Sequence, residues 1–199
     1  INAAGRVGGI LENATYPADF IFINSMIALN LIHSSYLYKV KKLINLGSAC
    51  IYPKKTTMPI NEDQLLSGKL EKTNEAYAIA KISAIKLCEY YNKQHKCDFI
   101  SLQPTNLFGQ NDNFDLRSSH VLPALIRKIS YAKSKKLKKI KLWGSGTPKR
   151  EFLYVDDLSE AILFVIKKKF KDHIINVGSG EEISIKNLAM LIAKKLNYK

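Results

Sequence analysis

Tyr77 and Lys81 stand four residues apart in NEAYAIAKISAIKLCEYYN (74–92), a stretch whose apolar residues recur at helical spacing. On a helix that spacing puts both side chains on one face, a turn apart. An ammonium close to a phenol stabilises the phenolate, so the pair can make tyrosine an acid or base near neutral pH. The same spacing also arises where a half-buried tyrosine merely precedes a solvated lysine, so the pair alone does not decide. Cys50, Cys88 and Cys97 are the other reactive groups. Their odd number and irregular spacing fit reduced thiols in a cytoplasmic protein and no metal site.

The elements that must hold the pair alternate. Residues 18–38 carry helical periodicity, KKLINL predicts a short apolar strand over about 42–46, and the Tyr/Lys helix follows. DFISLQPTNLFG (98–109) then reads as a strand running into a loop. Helix, strand, helix, strand implies a parallel sheet with crossover helices, and the opening INAAG reads as the tail of one more strand. Three strand ends, AAG, GSAC and PTNLFG, carry small or polar residues where such sheets bind ligands, beyond the strands' carboxyl ends. Further on, the pattern predicts a helix over 120–137 and a strand over 139–146. After these come a strand and helix over 150–168, capped by Asp156 or Asp157, a strand and turn over 173–180, and a helix over 183–196.

Composition sets limits. The 199 residues are 46% hydrophobic, enough for one ordinary core, and no run of 18 apolar residues predicts a membrane span. No secretory signal pattern opens the chain, which lacks an initiating Met and reads as a window within a longer protein. The formal charge of +14 invites a nucleic-acid reading. Only four of the 31 basic residues are arginines, however, and the lysine clusters 39–42, 133–141 and 167–171 read as solvated surface. No nucleic acid and no membrane is therefore expected as partner.

GSACIYP, NEAYAIAK and PTNLFG, in that order, resemble the extended short-chain dehydrogenase/reductase superfamily. Within it, VGGI, NATYPADF, SHVLPALI and WGSGTPKREFLYVDDL resemble the branch that converts GDP-4-keto-6-deoxy-D-mannose to GDP-L-fucose. The resemblance implies an α/β fold with a Rossmann-type doubly wound parallel sheet, incomplete here, and a smaller inserted mixed α/β substrate segment. It divides the chain into a dinucleotide-binding portion (1–111), a substrate segment (112–150) and returning elements shared by both (151–199). The chain departs from the pattern in having no glycine-rich fingerprint strand. Ala76 stands where the family has Pro, GSAC replaces GSSC, and Lys128 replaces a common Arg.

The resemblance also implies roles. The reaction is inversion at C-3 and C-5 of a 4-keto sugar and then reduction at C-4 with NADP(H), in a homodimer acting on a GDP-sugar. Cys50 is implied as the base, and His120, whose imidazole titrates near neutrality, as the acid. Tyr77 would protonate the C-4 oxygen, Lys81 would lower its pKa and bind the nicotinamide ribose, and Ser48 would orient the carbonyl. Leu46, Gly47, Ser48, Ala49, Lys81, Pro104, Thr105, Asn106, Leu107 and His120 are implied at the cofactor, backed by Ala3 and Ala4. Lys128, Trp143 and Arg150 are implied at the substrate. Rival expectations are another NAD(P)-dependent sugar-nucleotide epimerase or dehydratase, which would not need the Cys50/His120 pair, and a non-catalytic fragment.

Overall fold

FISLQP, the strand β2 (Phe99–Pro104), is buried along its whole length. An apolar strand of this kind belongs at the centre of a sheet covered on both faces. In the computed structural model, which describes residues 1–198, β2 lies between β1 (Leu43–Leu46) and β5 (Ile174–Val177), parallel to both. Asn2 extends the sheet beyond β1 through a parallel bridge to Asn45, so the strand tail expected at INAAG is present. Helices α2 (Pro17–Leu37) and α3 (Glu75–His95) cover one face. The opposite face packs on α5 (Val155–Lys167). The arrangement is doubly wound.

The strand period of two sorts side chains between these faces. Ile44, Ile100 and Leu102 meet Leu158, Ile162 and Val165 of α5. Leu43 and Phe99 meet Ala28 and Ile32 of α2 and Ala84 and Cys88 of α3. On the α2/α3 face a buried polar row crosses the sheet: Asn2 Nδ2 donates to Asn45 Oδ1 (3.1 Å), and Asn45 Nδ2 donates to Ser101 Oγ (3.3 Å). Each group finds a partner, as burial of amides demands.

A second, mixed sheet lies beyond the first. β3 (Asn106–Phe108) pairs in parallel with β4 (Lys149–Tyr154), and β4 pairs antiparallel with β6 (Glu182–Ser184). Helices α4 (Val121–Ser134) and α6 (Ile185–Lys195) pack on it around Leu125, Ile129, Leu188 and Ile192. A short helix, α1 (Ile10–Thr15), precedes α2.

Several expectations need correction. The loop expected after β2 is in part the strand β3, which becomes regular by pairing with β4. No strand forms over 139–146. Ile140 and Leu142 bury their side chains against the α4/α6 cluster, while Gly144 and Gly146, both at φ 75°, fold the backbone back until Lys186 N–H reaches Gly146 O (2.9 Å). Neither Asp156 nor Asp157 caps α5. β4 runs straight into the helix with Tyr154 at the cap, which leaves both carboxylates in the first turn, where they favour the positive helix end. Ile183 and Ser184 belong to β6, and Ser184 Oγ caps α6 by accepting from Asn187 N–H (3.2 Å). Finally, α2 is long and apolar enough to cross a membrane by composition, with a mean hydropathy of 1.4 over its most apolar window. Here it packs along α3 over the sheet, with Asn24 and Ser35 among its buried residues.

Asn92 near the end of α3 holds the start of β2 by donating to Phe99 O (2.7 Å) and accepting from Phe99 N–H (2.9 Å). Asn92→Ala strips both partners from a fully buried residue. It should destabilise the chain by about 2–4 kcal/mol, read as a lower urea midpoint with unchanged slope.

Candidate active site

The site grows from the carboxyl end of β1. After Leu46 the chain turns at Gly47, where a Cβ would lie 1.8 Å from Gln103 Oε1, so only glycine lets the glutamine side chain in. Gln103, 1% exposed, accepts the Ser48 N–H at 3.0 Å. Ser48 Oγ in turn accepts from Cys50 N–H (3.4 Å) at the head of a tight turn over Ala49–Ile51. Gln103 was missed in the sequence; its only signal was an amide inside an otherwise apolar strand.

Tyr77 and Lys81 occupy the first turns of α3, on the face turned toward this strand end. Lys81 Nζ donates to Leu46 O (2.8 Å) and lies 5.6 Å from the centroid of the Tyr77 ring. The ring packs edge-on against Phe20 of α2, with centroids 6.3 Å apart. Above Lys81 passes the loop from Asn2 to Gly9. Arg6 N–H donates to Asn24 Oδ1 (2.9 Å) and Asn24 Nδ2 donates to Arg6 O (3.0 Å), tying that loop to α2.

Electrostatics joins the three reactive groups. Burial pushes the Cys50 thiol up, while the Ser48 hydrogen bond and the Lys81 charge pull it down. Burial also lowers Lys81, and a Cys50 thiolate raises it. Tyr77 is raised, first by burial and then by Cys50. The expectation that Lys81 lowers the tyrosine is not met in this geometry, where burial of the phenol, and then Cys50, raise it. Tyr77 is therefore a proton donor at neutral pH. Burial takes Cys88 up to about 12 and raises Cys97 as well, consistent with inert packing thiols.

The remaining residues fall around this centre. His120 is the exposed N-cap of α4 and its imidazole makes no capping hydrogen bond. The same N-terminal loop connects it to the rest, since Gly9 N–H donates to Ser118 O (2.9 Å). Pro104 and Thr105 end β2 beside Val177, and Asn106 Nδ2 donates to Glu151 O (2.9 Å), tying β3 to β4 within the second sheet. Leu107 packs into the core. Lys128 and Trp143 are brought together, with Nζ 4.9 Å from the ring centroid. Lys128 also lines an open groove of about 400 Å³ with Arg127, Lys139 and Lys141, and no acidic side chain faces it. Arg150 is exposed on β4, next to the residue that holds Asn106.

The residues fit a nicotinamide nucleotide on one side. Thr105 Oγ1 is buried without a partner at the end of β2, and Lys81 has N–H donors beyond the one given to Leu46. Ala3 and Ala4 are exposed beside the same edge. Among the described residues there is no G-x-G-x-x-G turn to cradle the phosphates.

A tyrosine–lysine helix set against the end of a parallel strand, with small residues lining that edge, is an arrangement that suits a nicotinamide-dependent epimerase or dehydratase. Residues 1–178 match the NAD dependent epimerase/dehydratase family, and the chain belongs to it. It is similar to the GDP-L-fucose synthase of Sinorhizobium fredii, 54% identical over 199 residues, which are 100% of this chain and 63% of that protein. It is also similar to GDP-L-fucose synthase 1 of Arabidopsis thaliana, 51% identical over 198 residues, covering 100% of this chain and 61% of that one. Among solved structures, a GDP-L-fucose synthetase from Naegleria fowleri bound to NADP superposes with a TM-score of 0.88 at 33% identity, covering 98% of this chain and 60% of that one. The chain thus spans about six-tenths of the length of the curated relatives it matches.

Lys81→Met removes a charge that opposes the burial of Cys50. The thiolate fraction should fall at every pH below the plateau. The pH profile of Cys50 alkylation by iodoacetamide, mapped by peptide mass, should therefore move to higher pH while those of Cys88 and Cys97 stay put.

Proposed function

We propose that this chain carries the catalytic centre of an NADPH-dependent enzyme that converts GDP-4-keto-6-deoxy-D-mannose to GDP-L-fucose. The observation that carries the reading is the Cys50 thiol set beside Tyr77 and Lys81 at one strand end. A simple 4-keto reduction needs only a proton donor. A thiol in the same site adds the means to invert the carbons that the ketone acidifies.

Each residue then has a task. Cys50, in the thiolate form that the Ser48 hydrogen bond and the Lys81 charge favour against burial, removes the proton from C-3 or C-5, and His120 returns one from the opposite face. Ser48 orients the 4-keto oxygen, and Tyr77, held protonated by burial, delivers its proton there. When bound, the nicotinamide supplies the hydride. Leu46, Gly47, Ala49, Lys81, Pro104, Thr105, Asn106 and Leu107 would hold the cofactor, with His120 at its margin. Lys128, Trp143 and Arg150 would receive the GDP moiety, whose negative charge suits the groove beside Lys128, where every charged lining residue is a cation. Residues 1–111 serve the dinucleotide, 112–150 the sugar nucleotide, and 151–199 both.

Homodimerisation belongs to the same proposal. α2 and α3 lie against each other, yet Phe22, Met26 and Leu29 of α2 and Ile79 and Tyr90 of α3 are exposed, Phe22 by 66%. A second copy laid across this helix pair would cover an apolar strip of a kind that monomers rarely expose. A reducing cytoplasm suits the three free cysteines.

Two outcomes are expected. In D2O, Cys50→Ser should lower deuterium exchange into C-3 and C-5 by about 100-fold or more, measured by NMR, while reduction of an already inverted ketosugar persists. Unchanged exchange would point instead to another epimerase or dehydratase of the family. Separately, Phe22→Asp should convert a dimer to a monomer in sedimentation velocity; a wild-type monomer at tens of micromolar would refute the helix-pair interface.

A further inference from the structure

The turn that carries Cys50 has no regular secondary structure to hold it beyond its three residues. Its neighbours supply the rigidity. Ile51 is fully buried and Tyr52 is 5% exposed, both packed against Ile82 and Ile85 of α3, the turns that follow Lys81. From there the Tyr52 hydroxyl donates to Asn176 Oδ1 at 2.6 Å. Asn176, on β5, is itself fixed twice more. Its N–H donates to Glu62 Oε1 (2.7 Å) and its Nδ2 donates to Ile60 O (3.3 Å), which settles which amide atom faces the tyrosine. Burial takes the Tyr52 hydroxyl up to about 12, so it remains a donor at neutral pH.

We propose that Tyr52 is the positioning residue for Cys50, fixing the thiol's turn against α3 and β5 through its hydrogen bond to Asn176. The Tyr52 hydroxyl is bonded to Asn176 and its ring packs on the Ile82/Ile85 side of the helix, and no hydrogen bond joins it to Tyr77 or Lys81. The clamp therefore acts on the base and not on the proton donor for reduction. It also holds both ends of the excursion from 52 to 65 to one point on β5, since Tyr52, Ile60 and Glu62 all bond Asn176.

The inference rests on the proposed role of Cys50 in inversion, so the test has two arms. Tyr52→Phe keeps the ring and its packing and removes only the hydroxyl. In the full enzyme with NADPH, C-3/C-5 exchange should fall about tenfold, because misplacing a reacting group by a fraction of an ångström has effects of this order. Reduction of the inverted ketosugar should stay within about twofold. In the second arm, with neither substrate nor cofactor, the iodoacetamide reactivity of Cys50 should change at least about threefold, while Cys88 and Cys97 react as before. The double variant Tyr52→Phe/Asn176→Ala should be no worse in exchange than the worse single one, as expected of two ends of one bond. Exchange and reduction falling together, or Cys50 reactivity left unchanged, would overturn the proposal. If the wild-type enzyme shows no exchange, the functional reading fails, and the alkylation arm alone decides whether Tyr52 positions the thiol.

Discussion

The site depends on one partly buried cation. Lys81 reaches from α3 to the last carbonyl of β1, and this 2.8 Å bond ties the helix with the tyrosine to the strand end that launches Ser48 and Cys50. A charge-assisted bond of this kind is stronger than a neutral one, and losing its partner in a desolvated place is costly. The ammonium's charge opposes, without cancelling, the rise that burial imposes on the Cys50 thiol, while the Tyr77 phenol is raised by burial and by Cys50. Burial raises both groups, and only at the thiol does the Lys81 charge work against it.

The rest of the fold keeps that bond in register. β2 is clamped at its start by Asn92 and at its end by the pairing of Thr105 with Val177. Between those points it delivers Gln103 under Gly47, so the central strand reaches into the turn of its neighbour. On the other face, Lys42 donates to Lys168 O at 2.6 Å and pairs with Asp98 at 3.3 Å, closing the end of α5 against the sheet. The second sheet hangs on the first through the continuous run from β2 into β3.

Much of this was legible in the sequence because it is periodic. The four-residue spacing of Tyr77 and Lys81, the apolar runs of β1 and β2, and the length of α2 all follow from side-chain alternation. Elements that depend on a partner were not legible. Leu142 lies in an apolar alternation that suits a strand, yet the backbone around it finds no neighbour and two glycines curl it away. Asn106–Phe108 is too short to announce itself and becomes a strand only because β4 lies beside it. The direction of the Tyr77 shift was missed for a related reason. Spacing shows that a lysine is near, but not how deeply the phenol is buried. Gln103, Asn24 and Asn176 were silent because an amide's role lies in what it bonds, which no local pattern encodes.

Trp143 is the chain's only tryptophan, 70% exposed, with the Lys128 ammonium over its ring. Its indole is therefore wet, and its emission belongs to a single place on the outer lobe, separate in origin from ten tyrosines. Anything that slides between ring and ammonium, or draws the lysine away, changes the polarity and quenching that the indole senses. The protein carries its own optical reporter on a lysine that lines the basic groove, one that responds to whatever engages that lysine without a label and without turnover.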